Sequence, residues 1–67
     1  MTFGERLKQA RLEREVGQKE LAETACISIN TLRAYEQGKH EPSLFCATCL
    51  ARALGVSLDW LAGIEER

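Results

Sequence analysis

Asn30 and Arg33 stand three positions apart with Ile29 beside the first, and no other set in the 67-residue chain suits directional recognition so well. A carboxamide offers a donor and an acceptor side by side, and a guanidinium offers a rigid fork of donors. Both make paired hydrogen bonds to a flat polar edge, and an isoleucine next to them adds an apolar contact. Other sets do less. Cys46 and Cys49, at i and i+3, share a helix face and reach four metal-ligand candidates only with Cys26 and His40. That spacing matches no familiar zinc module, so the thiols read as small, half-buried packing residues and no metal is expected. The hydroxyls and carboxylates make no Ser/His/Asp set, and the single His lies in a loop. No enzyme, cofactor or small-molecule ligand is implied.

The elements that must hold Ile29, Asn30 and Arg33 can be read from caps and periodicity. Ser28 is a good N-cap and Gly38 a good C′ residue, so a short helix spans Ile29–Gln37. Leu32 and Tyr35 point inward on it. Asn30, Arg33, Ala34 and Gln37 point outward, with Ile29 at the border. A helix over about Gln18–Ala25 precedes it, joined through Cys26 and Ile27. A first helix runs from about Thr2, a plausible cap, to Arg14, with Phe3, Leu7, Ala10 and Arg14 on one stripe. Pro42 and Ser43 open a fourth helix, Leu44–Leu54, closed by Gly55, with Leu44, Ala47, Thr48, Leu50, Ala51 and Leu54 inward. Ser57 caps a short fifth, Leu58 to about Ala62. No segment alternates as a strand would. The expectation is an all-α, compact five-helix bundle forming one domain over residues 1–67.

Composition narrows the partners. No apolar run approaches the roughly 20 residues of a membrane helix, no signal-peptide segment opens the chain, and the three cysteines are an odd number, so a cytoplasmic protein with reduced thiols is expected. A net charge of −1 weighs against a nucleic-acid binder. Distribution qualifies the sum: residues 1–17 carry four positive and three negative side chains, while Asp59, Glu65 and Glu66 face only Arg67 at the other end.

The short connection between the second and third helices forces a sharp angle and leaves the third helix proud of the surface. A DNA major groove is just wide enough to admit such a helix. The ordered pieces Gln18, Leu21-Ala22, Ile27-Ser28, Leu32, Tyr35-Glu36, Gly38-Lys39, Pro42, Leu54-Gly55-Val56 and Leu58-Asp59-Trp60-Leu61 carry a resemblance. Over about residues 3–62 the chain resembles the phage repressor and Cro type of helix-turn-helix, the xenobiotic-response-element family of bacterial and phage regulators. That resemblance implies a lambda-repressor-like domain and a sequence-specific transcriptional regulator, in most cases a repressor. It further implies a homodimer on a palindromic operator in double-stranded DNA.

By the same resemblance Ile29, Asn30, Arg33 and Ala34 match base-reading positions. Isoleucine can pack on a thymine methyl, asparagine pair with adenine and arginine with guanine. Gln18, Ser28, Thr31, Gln37 and Lys39 match the set that holds phosphates, and Gln18 also matches the glutamine that braces the recognition helix. Arg11 and Glu36 match a structural ion pair, which the position of Glu36 some 40° from Leu32 on the helix wheel also favours. Leu58 and Trp60 match the dimer contact, although Trp60 could instead close the core, or do both with its two edges. The family often has glycine near Glu15 and Cys26, so the backbone at the Cys26 turn is expected to be tight.

A second reading stays open. Phe45, Cys46, Cys49 and Ala53 lie on the face of the fourth helix that should look outward. They are either covered by a terminal segment or form an apolar patch for a protein partner, as in an antitoxin-like interaction module.

Overall fold

The computed structural model describes residues 1–64; the expectations on Glu65, Glu66 and Arg67 lie outside the described residues. Five helices follow one another: α1 (Phe3–Glu13), α2 (Gln18–Thr24), α3 (Ile29–Glu36), α4 (Leu44–Leu54) and α5 (Leu58–Leu61). There is no strand among the described residues. Four helices start at a hydroxyl. Thr2, Ser28, Ser43 and Ser57 each accept a hydrogen bond from a backbone N–H three residues on. Each such cap contributes about 1 kcal/mol, a large share in a domain whose whole stability is on the order of 3–10 kcal/mol. At α1 the cap is reciprocal: the Glu5 carboxylate accepts from the Thr2 N–H at 2.8 Å, which holds its pKa below the ordinary carboxylate value. Arg14, Ala25, Gln37 and Ala62, expected as last helical residues, are the C-caps instead.

Leu7, Leu21, Leu32, Leu50 and Leu61, one from each helix, are fully buried at the centre. Phe3 and Tyr35 meet edge to face at 6.5 Å and tie α1 to α3. Gly4 lies where α1 crosses the end of α3, so close that an added Cβ would strike the Tyr35 carbonyl oxygen and come within 2.9 Å of that of Glu36. Burial, and next a hydrogen bond with Cys46, push the Tyr35 phenol above its ordinary pKa, so it stays neutral.

Two inward assignments are corrected. Arg14 is exposed; it sits past the last turn and its guanidinium folds back to donate to the Ala10 carbonyl at 3.1 Å. The inward cations are Arg6 and Arg11. Leu44 is 73% exposed, because the first residue of α4 overhangs the end of the core. Trp60 is only 4% exposed and belongs to the core, with the Arg6 guanidinium 5.2 Å from its ring centroid. It has almost no surface left to offer at a dimer contact.

Candidate nucleic-acid interface

The turn between α2 and α3 sets the direction of everything outward. Ala25 caps α2 and Cys26 turns the chain with φ 59°, in the left-handed region. The Ile27 N–H then closes onto the Ala22 carbonyl at 2.9 Å, the wrap expected when a left-handed residue ends a helix. Glu15, in the α1–α2 connection, is also left-handed at φ 55°. These are the two positions where glycine would relieve the Cβ, and the strain expected at Cys26 is present. Replacing the exposed Cys26 by glycine should therefore stabilise the fold by about 0.5–1 kcal/mol. In a domain this small that raises Tm by roughly 3–6 °C. An unchanged or lower Tm in a thermal melt would show that the turn is not strained.

Ser28 then starts α3. Its Oγ accepts the Thr31 N–H at 3.0 Å and lies 2.8 Å from the Thr31 hydroxyl. Leu32 and Tyr35 anchor the helix inward, and Asn30, Arg33 and Gln37 are exposed on the far side. Ala34 and Thr31 are half-buried between them. Ile29 is also half-buried and packs partly on the core, so less of it faces outward than a wholly displayed isoleucine would give. Beyond Gly38, left-handed at φ 76°, the Lys39 N–H returns to the Ala34 carbonyl at 2.9 Å and its side chain is exposed. The loop then folds back. Asn30, Thr31, Ala34, His40 and Glu41 line one shallow hollow of about 420 Å³. The sequence places His40 in a solvated loop near the phosphates and gives no sign of Glu41; the path of the loop brings both to the hollow.

Behind this face lies a polar cluster. Glu36 pairs with Arg11 at 2.7 Å (Nε to Oε2) and accepts a second bond from Nη2 at 3.1 Å. The two side chains are 4% and 9% exposed. Arg11 Nη1 also donates to the Val16 carbonyl at 3.0 Å. Gln18 donates from Nε2 to Glu36 Oε1 and accepts the Arg33 Nε–H on its Oε1, both at 3.1 Å. The sequence names all four residues, and the resemblance gives Gln18 as a brace of the recognition helix; its bond to Arg33 is the contact it makes with that helix. The remaining sequence candidates stand apart. Leu58 is half-buried and lines a groove with Phe3, Pro42, Leu44 and Ala47 on the side of α4 and α5. Phe45 is 76% exposed, whereas Cys46, Cys49 and Ala53 pack against the core. The three cysteines are unbridged, and no group of three metal-ligating side chains forms among the described residues. No helix among them is long and apolar enough to cross a membrane.

Known proteins share this arrangement. The immunity repressor protein of Bacillus phage phi105 is 38% identical over 65 residues, covering 97% of this chain and 45% of that protein. An SPbeta prophage-derived uncharacterized HTH-type transcriptional regulator, YonR of Bacillus subtilis strain 168, is 42% identical over 59 residues, covering 88% and 55%. The chain thus spans about half the length of these relatives. Among solved structures, the P22 c2 repressor protein in complex with a synthetic operator superposes with a TM-score of 0.91 at 25% identity, over 97% of this chain and 98% of that one. The family model described as "Helix-turn-helix" matches residues 7–61, from the core of α1 through α5. With α2, the Cys26 turn and an outward α3 as its centre, the chain belongs to the helix-turn-helix family of transcriptional regulators.

Proposed function

We propose that the protein is a sequence-specific DNA-binding repressor that acts as a homodimer on a palindromic operator, with α3 of each copy in a major groove. The observation that carries this is the outer face of α3, where Asn30 and Arg33 are exposed together on a helix anchored from behind by Leu32 and Tyr35. The operator complex of the structurally similar P22 c2 repressor supports it. In this reading Ile29, Asn30, Arg33 and Ala34 meet base edges, and Ser28, Thr31, Gln37 and Lys39 hold phosphates beside them. Size is compatible: the Cα trace measures 27 Å along its longest axis. Two copies side by side, with their side chains, can address half-sites roughly 34 Å apart. The Leu58 groove supplies apolar surface for that contact, and Trp60 supports it from inside.

Two substitutions separate reading from holding. Asn30→Ala should relax the preference at one base pair by about 1–3 kcal/mol and leave non-specific binding nearly unchanged. Lys39→Ala should weaken binding to every duplex alike and lower the salt slope by about one. Titrations of matched and single-base-substituted duplexes over a range of salt check both. Equal losses on all sequences for Asn30→Ala, or an unchanged slope for Lys39→Ala, would remove the residue from its role.

The exposure of Phe45 and Leu44 favours a second reading, an antitoxin-like module that binds a protein partner through this patch. Phe45→Ser distinguishes the two. On the repressor reading it leaves operator affinity unchanged.

A further inference from the structure

Cys46 and Cys49 share a face of α4, three residues apart. That spacing puts their Cα atoms about 5 Å apart, within the span of a disulfide. Their Cβ atoms are about 5–6 Å apart, roughly 1 Å more than the bond prefers, so joining the thiols tightens the turn between them. Both residues are half-buried and pack on the core, but their neighbours differ. Cys49 opens on a hollow of about 280 Å³ that it shares with Thr24, Arg52 and Ala53. A small reagent can reach the thiol there, and the Arg52 guanidinium offers a cation to a carboxylate on that reagent. Cys46 shares a hydrogen bond with the Tyr35 hydroxyl. Tyr35 is 7% exposed, and with Leu32 it anchors α3 from behind. One thiol is thus open to a reagent and the other is tied to the helix that carries Asn30 and Arg33.

We propose that Cys46 and Cys49 are a redox-active dithiol, which low-molecular-weight disulfides such as oxidised glutathione convert to a disulfide within α4, and that this bond weakens DNA binding by α3. The second half rests on the DNA-binding reading above. Cys49 gives up its proton and its sulfur attacks one sulfur of the reagent, forming a mixed disulfide and releasing one thiolate. Cys46, deprotonated in turn, attacks Cys49 Sγ and releases the second. Two thiols are oxidised, one reagent disulfide is reduced, and the two protons pass to the released thiolates. The Cys46 sulfur is then drawn toward Cys49, and the buried Tyr35 hydroxyl loses that partner. Because the turn must tighten, the bond is strained and readily reduced, so the change reverses.

The test has two arms without DNA and one with it. The wild type is equilibrated with mixtures of reduced and oxidised glutathione, alkylated and digested with trypsin. Cleavage after Lys39 and Arg52 isolates residues 40–52, which carry Cys46 and Cys49 but not Cys26. In oxidising mixtures this peptide should escape alkylation and weigh two hydrogens less. Cys46→Ser should stop instead at a glutathione adduct on Cys49. The other arms use proteins that carry Cys26→Ser, so that the exposed third thiol takes no part. Tyr35 is the single tyrosine, so its ring resonances in an NMR spectrum are unambiguous, and they should shift on oxidation. Titration with the duplex that the wild type selects from a random pool should show binding about tenfold weaker after oxidation. Adding Cys49→Ser should abolish that sensitivity. A 40–52 peptide alkylated twice in every mixture would overturn the proposal. So would Tyr35 resonances or an affinity indifferent to oxidation, or an equal loss of binding with Cys49→Ser. A wild type that prefers no duplex, combined with the lighter peptide and shifted Tyr35 resonances, would overturn the DNA reading and leave the dithiol standing.

Discussion

Glu36→Ala should lower the unfolding free energy by about 3–5 kcal/mol, the cost of stranding one partner of a buried ion pair. The guanidinium of Arg11 is held between Glu36 and the Val16 carbonyl, with the Arg11 side chain only 9% exposed. Without the carboxylate, Arg11 keeps its burial and loses two charge-assisted bonds. Gln18 loses an acceptor in the same step. Set against a total on the order of 3–10 kcal/mol, the variant should be largely unfolded at 37 °C. The pair is not thereby a large net stabiliser, because taking both charges out of water offsets much of their attraction. The double variant Arg11→Met with Glu36→Leu should therefore recover most of the loss. Urea unfolding followed by circular dichroism measures all three proteins. A loss below about 1 kcal/mol for Glu36→Ala, the range of a surface pair, would mean that water reaches Arg11.

Gly4→Ala should cost roughly 2–3 kcal/mol, at the upper end of what overpacking does. Two effects oppose each other. Alanine is favoured over glycine inside a helix by about 1 kcal/mol. The steric effect wins because the new Cβ meets the backbone carbonyls of Tyr35 and Glu36, which have no rotamer to move into. Relief requires α1 to slide off the end of α3, against the Phe3–Tyr35 contact and the Arg11–Glu36 pair. Gly17 is the control: nothing lies within 4 Å of its would-be Cβ. Gly17→Ala should cost less, about 0.5–1 kcal/mol, because it loses only the preference for glycine over alanine at the N-cap of α2. If the two variants unfold at the same urea concentration, the crossing of α1 over α3 is looser than described.

Much of the fold was legible because it is local. Ser28, Gly38, Gly55 and Ser57 declare helix ends through chemistry that acts within four residues, and each ends or starts a helix where expected. Leu32 and Tyr35 follow from the helical period, and the outward set with Asn30 and Arg33 follows from them. What failed depends on where helices stop relative to one another. Arg14 and Leu44 satisfy the period but extend beyond the neighbours that would bury them. Trp60 could have faced either way; the arrival of Arg6 on its ring goes with its inward place. Arg6 gave no sign of burial, since a cation on an amphipathic helix ordinarily solvates. The Gln18–Arg33 bond joins residues fifteen apart, and the His40–Glu41 edge of the hollow depends on how the loop returns. Neither has a local signature.

The central claim is that α3 reads a DNA sequence. It is tested most directly by incubating the protein at low salt with a pool of random duplexes and sequencing what it retains. The account predicts a palindromic consensus with half-site centres about 10 base pairs apart, and a preference at one position in each half-site that Asn30→Ala erases. Retention without enrichment, by a protein that is folded and binds duplexes equally, would contradict it.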